Sequence, residues 1–162
     1  MIAIDPGQKG GIAFEKHGVI DAIKMPEGMT AQAGCLKELA DIADCVCTME
    51  NVGGYMPGNS GPAAVTFGRH LGNLEAILYM CNVSVTLVTP SKWMNALGFS
   101  VNYYLPANYK ELEKGEQKKV RAKAVTANKR AIKEAMARLY PHVKVTLATS
   151  DALGLMTYVM RK

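Results

Sequence analysis

No run of about twenty consecutive apolar residues, the length that a membrane-spanning helix needs, occurs in this chain of 162 residues. Its N-terminus also lacks the charged-then-apolar pattern of a secretory leader, so neither a membrane span nor secretion is implied, and a cytoplasmic protein is expected. Cysteine is sparse: Cys35, Cys45, Cys47 and Cys81 lie in apolar segments without two-by-two metal spacing, which argues against zinc and disulfides and for reduced core thiols. Internal repeats and low-complexity tracts are missing too, so no solenoid or long linker is expected. What remains, 49% hydrophobic and 20% charged, suits one ordinary domain over residues 1–162.

The net charge of +5 is regional. Residues 110–144 hold eleven Lys or Arg against four Glu, a local +7, which leaves −2 for the rest. Such a patch is the footprint expected for a polyanion such as nucleic acid; a solvated helix face beside an exposed loop would read the same way.

The hydrophobic pattern predicts strands at Met1–Asp5, Gly11–Phe14 and Val19–Lys24, an antiparallel meander joined by glycine-bearing turns. A helix capped by Thr30 runs to about Ala43, and Cys45–Glu50 forms a fourth strand. Pro62 fits the first turn of a helix whose apolar stripe is Phe67, Leu71, Leu74 and Leu78, with Gly68 and Gly72 leaving a groove for another backbone, the sheet in preference to a partner helix. Val83–Val88 reads as a fifth strand and 90–98 as a short helix. Residues 99–122 show no clean period and predict a mobile basic loop. A helix then covers 123–140, and a last one, capped by Thr149 or Ser150, is apolar nearly all round and should be buried.

Asp5 closes the first strand just before the glycines at 7, 10 and 11, and Glu50 closes the fourth. If those strands are neighbours, the two carboxylates meet at one sheet end, and Asp151 reaches them from the start of the last helix. Each has a bland alternative: Asp5 suits an Asp-Pro-Gly turn, and Asp151 suits a helix N-terminus. Three converging acids repel unless cations neutralise them, and two divalent ions about 3.5–4 Å apart are the usual solution in nucleases.

These residues carry a resemblance. Ile4-Asp5-Pro6-Gly7, Gly10-Gly11-Ile12-Ala13, Met49-Glu50, Met56-Pro57-Gly58, Phe67-Gly68-Arg69, Gly72, Pro90-Ser91-Lys92-Trp93, Leu139-Tyr140-Pro141 and Ser150-Asp151-Ala152-Leu153, in that order, resemble the RuvC-type Holliday junction resolvases, especially their phage-like branch. The resemblance implies an α/β, RNase H-like fold: a five-stranded mixed sheet, antiparallel meander then parallel strands, flanked by helices. It implies a homodimer that nicks four-way DNA symmetrically with two Mg²⁺ or Mn²⁺ ions per site and no small-molecule cofactor. Asp5, Glu50 and Asp151 take the metal-ligand positions, and Lys129 that of the lysine near the scissile phosphate, with Lys133 in reserve. One departure stands out: the second acid or histidine that usually precedes the last-helix Asp is replaced by Leu147 or Ala148. Water, Ser150 or Thr149 could supply the missing oxygen; His142 lies too far along the chain.

By the same resemblance the loop after Glu50 offers Tyr55 and Met56 to the junction centre, and the helix around Phe67–Leu78 is the dimer element. Arg69 suits a phosphate, as do Lys118, Lys119, Arg121 and Lys123 ahead of Lys129, whereas Trp93 suits the core. Three rival readings stay open. An actin-like or sugar-kinase ATPase opens similarly but needs two such domains. A branched-DNA-binding protein without catalysis would account for Ala148. An RNase H-like nuclease with broader taste would cut flaps or forks.

Overall fold

Strand β1 (Ile2–Asp5) is buried along its apolar length because both of its faces are covered. It pairs antiparallel with β2 (Gly11–Lys16), which pairs antiparallel with β3 (Val19–Lys24), completing the meander. On its other side β1 pairs parallel with β4 (Val46–Glu50), and β4 with β5 (Ser84–Val88), so the order is β3-β2-β1-β4-β5. This is a computed structural model, and it describes residues 1–41, 45–52 and 61–162.

Side-chain alternation splits the core in two. Ile2, Ile4, Ile12, Cys47 and Met49 face helices α1 (Met29–Ala40) and α2 (Gly61–Met80), meeting Leu36, Leu39, Leu74 and Leu78. Ala3 and Ala13, on the opposite face, leave room for helix α5 (Ser150–Met160) to lie close against β1 and β2. Residues 150–158 of α5 are all buried, as an all-round apolar helix requires. Helix α4 (Lys114–Leu139) packs beside it through Ile132 and Met136, and α3 (Pro90–Ala96) inserts Trp93 into the same layer. Each large apolar side chain buried there contributes roughly 1.5–3 kcal/mol.

Several expectations need correction. The segment 99–122 carries regular structure: short 3₁₀ turns at Val101–Tyr104 and Tyr109–Glu111 lead into α4, which begins nine residues before Lys123. Gln117 holds it, its Nε2 donating to the Leu112 carbonyl at 2.7 Å and to that of Lys110 at 3.4 Å. The early turns of α4 face these 3₁₀ turns rather than the main core, so they carry no apolar period to read. Helix α1 starts after Gly28, whose backbone takes the left-handed conformation (φ 79°), and Thr30 lies inside it. Gly68 and Gly72 do not face the sheet: added Cβ atoms there would meet nothing within 4 Å among the described residues. Among the cysteines only Cys47 is fully buried, which pushes its thiol up to about 12, while Cys35, Cys45 and Cys81 are half-buried and free.

Candidate functional site

The parallel register of β1 and β4 sets Ile2 beside Cys47 and Ile4 beside Met49, so Asp5 and Glu50 finish their strands at the same end of the sheet. Gly10, in the turn to β2, backs onto Asp5. A Cβ there would collide with the Asp5 carbonyl and lie 2.8 Å from Oδ2, so only glycine lets the carboxylate occupy its place. The third acid, Asp151, is buried in the first turn of α5, the helix lying across β1, β2 and β4.

Charge couples the three acids. Burial first, then the Asp151 charge, pushes the Asp5 carboxyl up to about 6, against a hydrogen bond from the Gly7 N–H (3.3 Å) and the Lys129 ammonium. Burial likewise pushes Glu50 up to about 7, with Asp5 and Asp151 adding to the rise and Trp93 and Lys129 opposing it. Burial raises Asp151 too, opposed by Lys129 and by the Ser150 hydroxyl. Lys129 therefore bears on all three carboxylates from an exposed position on α4. Among the described residues it makes no direct ion pair; the only two are the Met1 terminus with Glu15 and Lys24 with Glu27. Lys133, one turn on, is half-buried.

Each acid is held by its own local donor, and among the described residues no three Asp, Glu, His or Cys side chains form a group that could hold a metal ion. Even so, the donor chemistry suits a hard cation: oxygen ligands only, desolvated, and pushed up by burial and mutual repulsion that a positive charge would relieve. The residues weighed as a fourth ligand are engaged or apolar. Leu147 is exposed and Ala148 half-buried, the Thr149 hydroxyl accepts from the Thr146 N–H at 2.9 Å, and His142 Nε2 donates to the Ile20 carbonyl at 2.8 Å. Only the Ser150 hydroxyl turns toward the site, at 3.4 Å from Asp151 Oδ1.

Trp93 is fully buried, as expected of a core residue, but its indole Nε1 also donates to Glu50 Oε1 at 2.8 Å. No local pattern signals this contact: the two residues are 43 positions apart and meet through the pairing of β4 with β5, in which Val88 is in register with Glu50.

Lys118, Lys119, Arg121 and Lys123 are all exposed on α4. Arg69 is exposed on α2 and lines a polar cleft with Lys9, Lys24, Gln32 and the buried His70, whose Nε2 has no hydrogen-bond partner among the described residues. Tyr55 and Met56 lie outside the described residues. The outward face of α2, Val65, Gly68, Gly72, Ala76 and Tyr79, is exposed. No helix among the described residues is long and apolar enough to cross a membrane.

A mixed sheet of this order, with the last helix laid over its centre, defines an RNase H-like fold, and a solved structure of RuvC shares it. Thermus thermophilus RuvC in complex with a Holliday junction substrate matches with a TM-score of 0.53 at 13% identity, over 99% of this chain and 96% of that one. A further Thermus thermophilus RuvC structure aligns over the same shares with a TM-score of 0.43 at 16% identity. No protein-family model and no curated protein sequence matches the chain.

Proposed function

We propose that this protein is a metal-dependent endodeoxyribonuclease that resolves four-way DNA junctions by paired symmetric nicks, acting as a homodimer. The observation that carries this reading is the convergence of three desolvated, mutually repelling carboxylates from β1, β4 and α5 under the field of one lysine, on a RuvC-like fold. The junction substrate held by the T. thermophilus RuvC supports branched DNA as the partner here, and the ordered sequence motifs support the phage-like branch. A cytoplasmic setting belongs to the same proposal.

Asp5, Glu50 and Asp151 would hold Mg²⁺ or Mn²⁺, which when bound supplies water activation and charge neutralisation on the phosphate. Lys129 places a cation where negative charge develops on the scissile phosphate, and Ser150 and Trp93 orient their acids. In-line hydrolysis leaves 5′-phosphate and 3′-hydroxyl ends. The exposed lysines and Arg121 of α4, and the cleft beside Arg69, would neutralise backbone phosphates, positioning DNA without reading sequence. Tyr55 and Met56 keep their proposed role at the junction centre. Two-fold junction symmetry calls for a two-fold dimer, and the exposed small-residue face of α2 supports that helix as the contact. Sedimentation should give a dimer; a monomer at every concentration would remove that part of the reading.

A second reading, a branched-DNA-binding protein with weak or no catalysis, is favoured by the apolar side chains at Leu147 and Ala148. The deciding experiment is cleavage of a labelled synthetic four-way junction in Mg²⁺ and Mn²⁺, beside a linear duplex and a flap, with Asp5→Asn as control. Paired nicks in the junction alone, absent in the variant, are expected. Tight binding without cutting in either metal supports the second reading, and cutting of flaps as well points to a broader RNase H-like nuclease.

A further inference from the structure

We propose that Trp93 is a positioning residue that sets the spacing of the carboxylate cluster, an inference that rests on the nuclease reading above. The indole touches two of the three elements that supply acids. Its N–H donates to Glu50 Oε1 of β4 at 2.8 Å, and its six-membered ring lies on Gly154 of α5, three residues and so nearly one helical turn beyond Asp151. The approach is close enough that a Cβ on Gly154 would stand 2.6 Å from Cζ3 and 3.0 Å from Cη2, so no other residue type fits while the ring stays in place.

Trp93 is held in place by more than these two contacts. It is fully buried, and Pro90 starts α3 directly after β5, whose Val88 is in register with Glu50. The ring is therefore a rigid spacer between β4 and α5. It fixes Glu50 relative to Asp151, takes up one oxygen of Glu50, and leaves Oε2 with no hydrogen-bond partner among the described residues, free to face a cation. A tryptophan serving only as core filler needs neither an acidic acceptor nor a bare glycine on the acid-bearing helix. Donors that orient metal-ligating groups typically change metal affinity or activity about 10–100-fold when removed.

Trp93 is the only tryptophan, so tryptophan emission reports on this one indole and its surroundings. The test compares the full-length protein with Trp93→Phe, which keeps an aromatic ring and loses the N–H, and with Gly154→Ala, which keeps the indole and displaces it. Mn²⁺ binding is read by electron paramagnetic resonance, junction affinity by titration, and cutting under single turnover. In the wild type Mn²⁺ should quench Trp93 emission saturably, and Glu50→Gln should abolish that quenching. Trp93→Phe should bind the junction within about twofold of wild type yet lose about 10–100-fold in Mn²⁺ affinity and cutting rate. Gly154→Ala should lower the same two quantities and shift the emission maximum.

A wild type that binds Mn²⁺ and cuts, with Trp93→Phe equal to it in both, overturns the positioning role and leaves the nuclease reading standing. A wild type that neither binds Mn²⁺ nor cuts overturns both. If Trp93→Phe does not fold, the wild-type quenching decides: unsaturable quenching, or quenching unchanged in Glu50→Gln, sinks the proposal.

Discussion

Lys129 on α4 and Asp5 on β1 stand 124 positions apart in sequence, yet the lysine's charge acts to lower the Asp5 pKa and does the same for Glu50 and Asp151. It is the one side-chain cation among the described residues that bears on all three acids, and it is exposed. Replacing it should therefore disturb the reaction and spare the fold. Lys129→Met is expected to slow junction cutting by roughly 10²–10³-fold with little change in melting temperature, as for loss of a charge aimed at a developing anion. Lys133→Met should cost only a few-fold, since the cation that lowers all three carboxylates is Lys129. Equal losses would make the lysines a general phosphate track.

Removing one acid should separate binding from chemistry. Asp5→Asn and Asp151→Asn are each expected to lower cutting on the order of 10³-fold, while junction affinity holds or rises because a repulsive charge near the phosphate is gone. Single-turnover cutting and a binding titration on the same junction check this. Undiminished cutting in either variant would move the active centre elsewhere.

The buried acids should make the metal-free protein unusually sensitive to rising pH. Asp5 goes from an ordinary 3.8 to about 6 and Glu50 from 4.5 to about 7 on folding. A carboxyl raised by folding stabilises most below its unfolded value, and the contribution is lost as pH rises through the folded one. Between about pH 4 and 8 the loss is on the order of 2–3 kcal/mol for each group and less than additive for the coupled pair. Melting temperature without divalent ions should accordingly fall by several degrees from pH 5 to pH 8, recover on adding Mg²⁺, and fall less in Asp5→Asn. A melting temperature that climbs over that interval in the metal-free protein would contradict the burial of these groups.

The basic stretch of α4 should act through salt. With Lys118, Lys119, Arg121 and Lys123 all changed to Gln, junction affinity should weaken and its log–log salt dependence should flatten by roughly 0.7–0.9 for each phosphate no longer neutralised. Cutting at saturating DNA should stay within about twofold, because these side chains position the strand rather than touch the reacting phosphate. A wild-type salt slope in the variant would assign the cationic footprint to Arg69, Lys9 and Lys24 instead.

The sequence by itself determined the elements whose physics is local. Short apolar and β-branched runs bounded by turn residues placed five strands to within two residues, an all-round apolar pattern marked α5 as buried, and Asp5 and Glu50 were legible because each closes a strand next to chain-breaking residues. Two features needed the third dimension. The start of α4 at Lys114 and the 3₁₀ turns before it go with Gln117 donating to the carbonyls of Lys110 and Leu112, hydrogen bonds that leave no hydrophobic period. The second role of Trp93 depends on Gly154 and Glu50, 61 and 43 residues away. Burial alone accounts for a tryptophan in a core. Which atom receives its N–H is decided by the parallel pairing of β4 with β5 and by the close approach of α5, long-range packing that a reading of local pattern does not contain.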